Sequence, residues 1–127
     1  HSDEQKSLAS LPPELANLSV EEAKQVLVDS VYSAGDLLKK KPFADSFIIY
    51  KKAISEFLRF VVDESYKVKE QEGPIHKNKA GIFVKNQYTI NKDLDKLAQD
   101  ILYNQLEQMK LVARVDGITG LLINTFS

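Results

Sequence analysis

Residues 43–62 read FADSFIIYKKAISEFLRFVV, twenty positions without a proline or glycine. Within them Phe43, Phe47, Tyr50, Ile54, Phe57 and Val61 recur at steps of three and four, the spacing that keeps side chains on one face of an α-helix. Ile48, Ile49, Leu58 and Val62 flank that seam and are expected to widen it, so that the helix is buried against two or more neighbours. At roughly 2 kcal/mol for each large side chain fully buried, such a helix supplies a major share of the folding free energy. It is predicted to start near Phe43, with Asp45 in its first turn, and to run to about Glu70, where Gly73-Pro74 stops it.

Upstream, Ser19 followed by Glu22 is a capping box, which predicts a helix start at that point. Val20, Ala23, Leu27, Val31, Ala34 and Leu38 then keep one face, and Lys39-Lys40-Lys41 before Pro42 places positive charge at the helix's negative end. Gly35 inside this helix costs on the order of 1 kcal/mol relative to alanine, a loss that close approach of a neighbouring helix would explain. Before Ser19, the Pro12-Pro13 pair breaks any continuous helix, and residues 1–18 are expected to form an extended strap carrying Leu8, Leu11, Leu15 and Leu18.

Downstream, residues 72–90 mix lysine, asparagine and glycine with Ile75, Ile82, Phe83, Val84 and Tyr88 in neither a 3.6 nor a sustained 2.0 period. A long irregular loop is expected there, with a short hairpin around residues 82–89. Thr89 or Asn91 is expected to cap the next helix, with Asp93 and Asp95 near its positive end. Leu94, Leu97, Ile101, Val112, Val115, Leu122 and Phe126 form one stripe of the last third, and Leu102, Leu106, Met109 and Ala113 form a second, rotated one. Residues 91–127 are therefore either one helix burying two faces in succession or two helices broken near residues 104–108. The expected fold is all-α: an up-and-down bundle of three to four long amphipathic helices over residues 19–127, with a loop at about 72–90 before the C-terminal helical region.

The 127 residues suit a single domain, and 43% hydrophobic with 28% charged residues is the balance of a folded chain. Cysteine is absent, which excludes disulfides, a thiolate nucleophile and cysteine-held metal and fits a reducing, cytoplasmic compartment. No run approaches the roughly 20 uncharged residues of a membrane span, so no membrane role is expected. Residues 1–10 lack the basic start and apolar stretch of a secretory signal. The chain begins at His1 and not at Met, so further native sequence is expected to precede it.

Chemistry-bearing pairings are missing. His1 and His76 are the only histidines; His1 stands at the end of the chain, and His76 is expected to be a solvent-exposed loop histidine with no second histidine at ligand spacing. Asp63-Glu64 and Asp93/Asp95 fall at polar positions or a helix start, and no glycine pattern precedes a lysine-serine or lysine-threonine pair. No catalytic, cofactor-binding or metal-ligating residue is assigned, and no enzyme activity is expected. Two candidate surfaces remain. Lys77, Lys79, Lys85 and Lys92, with no acid between residues 73 and 92, could hold an anion or single-stranded nucleic acid with Phe83 and Tyr88 as stacking groups. With a pI near 6.2, nucleic acid is the less favoured partner. Gly117 and Gly120, three apart, with Leu121, could let two helix backbones approach, within one chain or between two. Lys51, Lys52 and Arg59 with Lys39, Lys40 and Lys41 would make a weak anion receptor, because Glu56, Asp63 and Glu64 interleave. The favoured reading is a non-enzymatic module that engages a protein partner or a second copy of itself.

The stretch from Tyr50-Lys51-Lys52 through Phe57-Leu58 and Val61, the lysine-rich segment, and above all LVARVDGITGLLI at residues 111–123 resemble the bacterial YaaR-like family of uncharacterised proteins. The resemblance spans the chain from about Ser19. It implies a small cytoplasmic bacterial protein with an all-helical bundle fold, and it carries over no catalytic or ligand residues. Gly117 departs from the family's pattern, which commonly has a charged or larger residue there, so the helix is expected to be locally weaker.

Overall fold

The computed structural model describes residues 18–69 and 75–126, and the side chains of these outside 65–80. Among them are four α-helices and no strands: α1 (Val20–Lys40), α2 (Ala44–Lys69), α3 (Ile75–Leu102) and α4 (Gln108–Phe126). They run up and down in a closed ring. The tightest packing is α1 on α2, followed by α3 on α4 and α4 back on α1, while α2 and α3 are the most loosely joined neighbours. No helix of the described residues is long and apolar enough to cross a membrane.

The helix boundaries follow from local chemistry. Ser19 caps α1, its hydroxyl oxygen accepting the Glu22 N–H at 3.2 Å. The Glu22 carboxylate accepts from the Ser19 hydroxyl at 2.9 Å, a variant of the reciprocal box. α1 closes with the Lys41 N–H on the Leu37 carbonyl, and a three-residue turn leads into α2. α3 ends in a Schellman motif: Asn104 takes the left-handed conformation (φ 53°), its N–H bonds the Ile101 carbonyl, and the Gln105 N–H reaches back to Asp100. The last third is thus two helices.

The core is continuous across all four helices. Leu27, Val31 and Leu38 of α1 meet Tyr50, Ile54 and Phe57 of α2, Ile90, Leu94 and Leu97 of α3, and Leu111, Val115 and Leu122 of α4. Leu18 packs against its edge, and residues 1–17 of the expected strap lie outside the described residues.

Three expectations are corrected. From Ile75 onward the expected loop and its hairpin are helix, so Thr89, Asn91, Asp93 and Asp95 lie in mid-helix, while residues 72–74 lie outside the described residues. The Thr89 hydroxyl donates to the Lys85 carbonyl one turn back, as a helical threonine does. The helical period was hidden because the inward face reads Phe83, Asn86/Gln87, Ile90, Leu94, Leu97, Ile101, with polar residues one turn after Phe83, while Ile82, Val84 and Tyr88 point elsewhere. Second, the apolar face of α2 is narrower than expected, with Phe43 67%, Ile48 62% and Ile49 49% exposed, while Leu58 is buried and Val62 half-buried. Third, of the rotated stripe only Leu106 touches the core; Leu102, Met109 and Ala113 face outward around the turn.

Candidate functional site

The residues proposed for anion binding do not assemble as a loop. Lys85, Tyr88 and Lys92 are exposed on one face of α3. Phe83 turns the other way, its ring 4.9 Å from that of Phe126 on α4, and so takes no part in that face. Lys77 and Lys79 lie on the α3 backbone, and their side chains, like that of His76, fall outside the described ones. Gly117 and Gly120 have nothing within 4 Å of an added Cβ, so among the described residues no neighbouring helix approaches there. Leu121 is half-buried against the core.

The close approach is at Gly35, where an added Cβ would meet Val115 Cγ1 at 3.3 Å and Tyr50 Cε1 at 3.4 Å. The missing side chain makes room for a buried polar node. The Tyr50 hydroxyl donates to the Val115 carbonyl at 3.1 Å, and its oxygen sits 2.7 Å from Thr119 Oγ1. With its proton directed to Val115, the tyrosine oxygen is left to accept from Thr119. Burial pushes the phenol up to about 12; the Thr119 bond opposes this and the negative Asp116 adds to it.

Ion pairs tie α4 to its neighbours. Arg114 bonds Asp100 of α3, and Lys39 bridges Asp36 and Asp116. The Asp116 hydrogen bond holds the Lys39 ammonium above its ordinary value against the opposing effect of burial. Gln108 donates to the Lys39 carbonyl at 2.8 Å, fastening the start of α4 to the end of α1. Among the described residues no three His, Cys, Asp or Glu side chains gather as a metal would require.

Two clefts lie along the outer face of the α2–α3 seam. One, of about 360 Å³, is walled wholly by apolar side chains, among them Phe43, Phe47 and Ile48 on one side and Ala98 and Leu102 on the other. The second, of about 320 Å³, lies between Ser55, Arg59 and Val62 of α2 and Gln87 and Asn91 of α3. Each helix presents a second stripe to this face. On α3 it is Val84, Tyr88, Asn91, Asp95, Ala98 and Leu102, at alternating steps of four and three, with Val84 68%, Tyr88 69% and Leu102 72% exposed. On α2 it is Ala44, Ile48, Lys51, Ser55, Arg59 and Val62, all exposed but the half-buried Val62. The heptad spacing of the α3 stripe was present in the sequence, but it interleaves with the core stripe of the same helix, so neither period stands out alone.

A family model described as protein of unknown function (DUF327) matches residues 3–126. The crystal structure of protein TM1646 from Thermotoga maritima, assigned to the same family model, resembles this chain with a TM-score of 0.74 at 25% identity, over 84% of this chain and 87% of that one. Among curated proteins, none matches.

Proposed function

The chain belongs to the DUF327 family of proteins of unknown function, and we propose that it is a non-enzymatic interaction module whose docking surface is the outer α2–α3 face. The observation that carries this reading is the exposure of Ile48, Val84, Tyr88 and Leu102, four large apolar side chains more than 60% open on one continuous pair of stripes. Single exposed apolar residues are ordinary on any surface, whereas an aligned set beside an apolar cleft marks a site where another macromolecule excludes water. The apolar cleft is of a size to receive the anchoring side chains around which interfaces concentrate their energy. A bacterial, cytoplasmic setting, as in the YaaR-like proteins that residues 111–123 resemble, belongs to the same proposal, and a cysteine-free chain suits it.

A photo-crosslinking residue placed at Ile48, with the cross-linked chain identified by mass spectrometry, tests the reading in the host cell. A discrete cross-linked species that is absent with the cross-linker on exposed Asp29 of α1 is expected. Equal labelling from both positions would overturn it.

A further inference from the structure

The occupant of the α2–α3 face can be named from its pattern, an inference that rests on the docking reading above. The two clefts fix which residues stand level across the seam. Residues 43–48 of α2 lie across from residues 98–102 of α3, and residues 55–63 lie across from residues 87–91. Stepping inward between the clefts, Lys51 on α2 comes level with Asp95 on α3. Both outward stripes therefore share one order. Apolar residues lie at the ends, Ile48 and Val62 on α2, Leu102 and Val84 on α3, and polar groups lie at the centre, with a cation on α2 and a carboxylate on α3.

Such a face is complementary to itself. A two-fold axis running along the seam lays α2 of one copy over α3 of the other, antiparallel and without change of level. Ile48 then meets the second copy's Ala98–Leu102 end, Lys51 meets Asp95, Ser55 meets Asn91, and Val62 meets Val84, and the axis repeats every contact once. Arg59 lies at the level of Tyr88, whose ring is a suitable platform for a guanidinium. No ion pair engages Lys51, Arg59 or Asp95 within the chain among the described residues. A formal net charge of −1 leaves little long-range repulsion between copies. The stripe runs roughly 27 Å along α2 and the two helices are roughly 20 Å across, so face-to-face pairing covers on the order of 1,000 Å² in total, the lower bound for a specific dimer.

We propose that a second copy of this chain covers the α2–α3 face, forming a two-fold dimer in which Lys51 of each protomer pairs with Asp95 of the other. Light scattering coupled to size exclusion, from micromolar to millimolar chain, should reach twice the 14.3 kDa chain mass. Ile48→Glu should return it to monomer with its helical circular dichroism unchanged, because the side chain is outside the core. Lys51→Glu and Asp95→Lys should each weaken self-association about tenfold or more, by setting like charges opposite each other twice. Mixing the two single variants should restore the dimer as a heterodimer, since the glutamate introduced in one then meets the lysine introduced in the other while the native pair forms on the second side. A purely intrachain role for either residue would give no such rescue in trans. The proposal is overturned by a chain that stays monomeric throughout, by a dimer indifferent to Ile48→Glu, or by failure of the mixed variants to associate. A monomer whose Ile48 cross-linker captures a different protein sinks the dimer and leaves the docking reading standing. A monomer that also shows no position-specific cross-link sinks both.

Discussion

Removing the Tyr50 hydroxyl should change not only the stability of the fold but the way that stability depends on pH. Tyr50→Phe keeps the buried ring and deletes the hydrogen bonds to Val115 and Thr119, so at pH 7 the variant should be less stable by about 1 kcal/mol. The native phenol has its pKa pushed up to about 12 by burial, against an ordinary value of 10.0. A group whose folded pKa lies above its unfolded one contributes its full stabilisation below the unfolded value and loses it as pH rises toward the folded value. The window is therefore about pH 10 to 12. Two units correspond to about 2.7 kcal/mol, more than the hydrogen bonds contribute at neutral pH. Urea unfolding followed by circular dichroism, run on both proteins in steps from pH 7 to 11.5, should show the gap constant to about pH 10, then closing and tending to reverse. Every other ionisable group is common to the two proteins and cancels in the difference. A gap that stays constant to pH 11.5, or a phenylalanine variant as stable as the native chain at pH 7, would refute the assignment of Tyr50 as a buried donor.

Other substitutions separate space from backbone freedom. Gly117→Ala should raise stability by about 0.5–1 kcal/mol, because the position is helical and the added methyl meets nothing within 4 Å. Gly35→Ala should show none of that gain in the same thermal melts, since the methyl presses on Val115 and Tyr50. Ser19→Ala should cost about 1 kcal/mol of stability in urea, by orphaning the Glu22 N–H at the start of α1. At Asn104, whose φ is 53°, substitution by valine should cost about 1–2 kcal/mol while glycine is tolerated, as measured by the same unfolding curves.

The class of fold and three of its details were legible because single residues determine them. Ser19 with Glu22 located the start of α1, and Lys39 to Pro42 its end. Gly35 marked a place where another helix comes close. The seam from Phe47 to Val61 is buried as its spacing required. What was not legible is α3, and the reason is physical. A helix that serves a core on one side and a second surface on the other carries two apolar stripes, and their sum along the chain has no single period. Asn86 and Gln87 on the inward face deepened the confusion. Asn86 is satisfied there by a hydrogen bond to Thr125 of α4 at 2.9 Å, a partner 39 residues away that no local pattern reveals. The same interleaving hid the proposed docking face, for Val84, Tyr88 and Leu102 gain a common direction only once residues 75–102 are helical. On α2 the reverse holds: Ile48 and Ile49 extend the apolar run and so read as core, though the ring of four helices leaves that side of α2 open.

Both the proposed docking surface and the proposed pairing of two copies require α3 to be an unbroken helix with opposite stripes turned inward and outward. Backbone carbon chemical shifts over residues 81–102, with amide exchange along the same stretch, measure this directly. Continuous helical shifts from Gly81 to Leu102, with amide protection rising toward Ile90 and Leu94, are predicted; random-coil or extended shifts across residues 81–90 would remove the outward stripe and contradict the account.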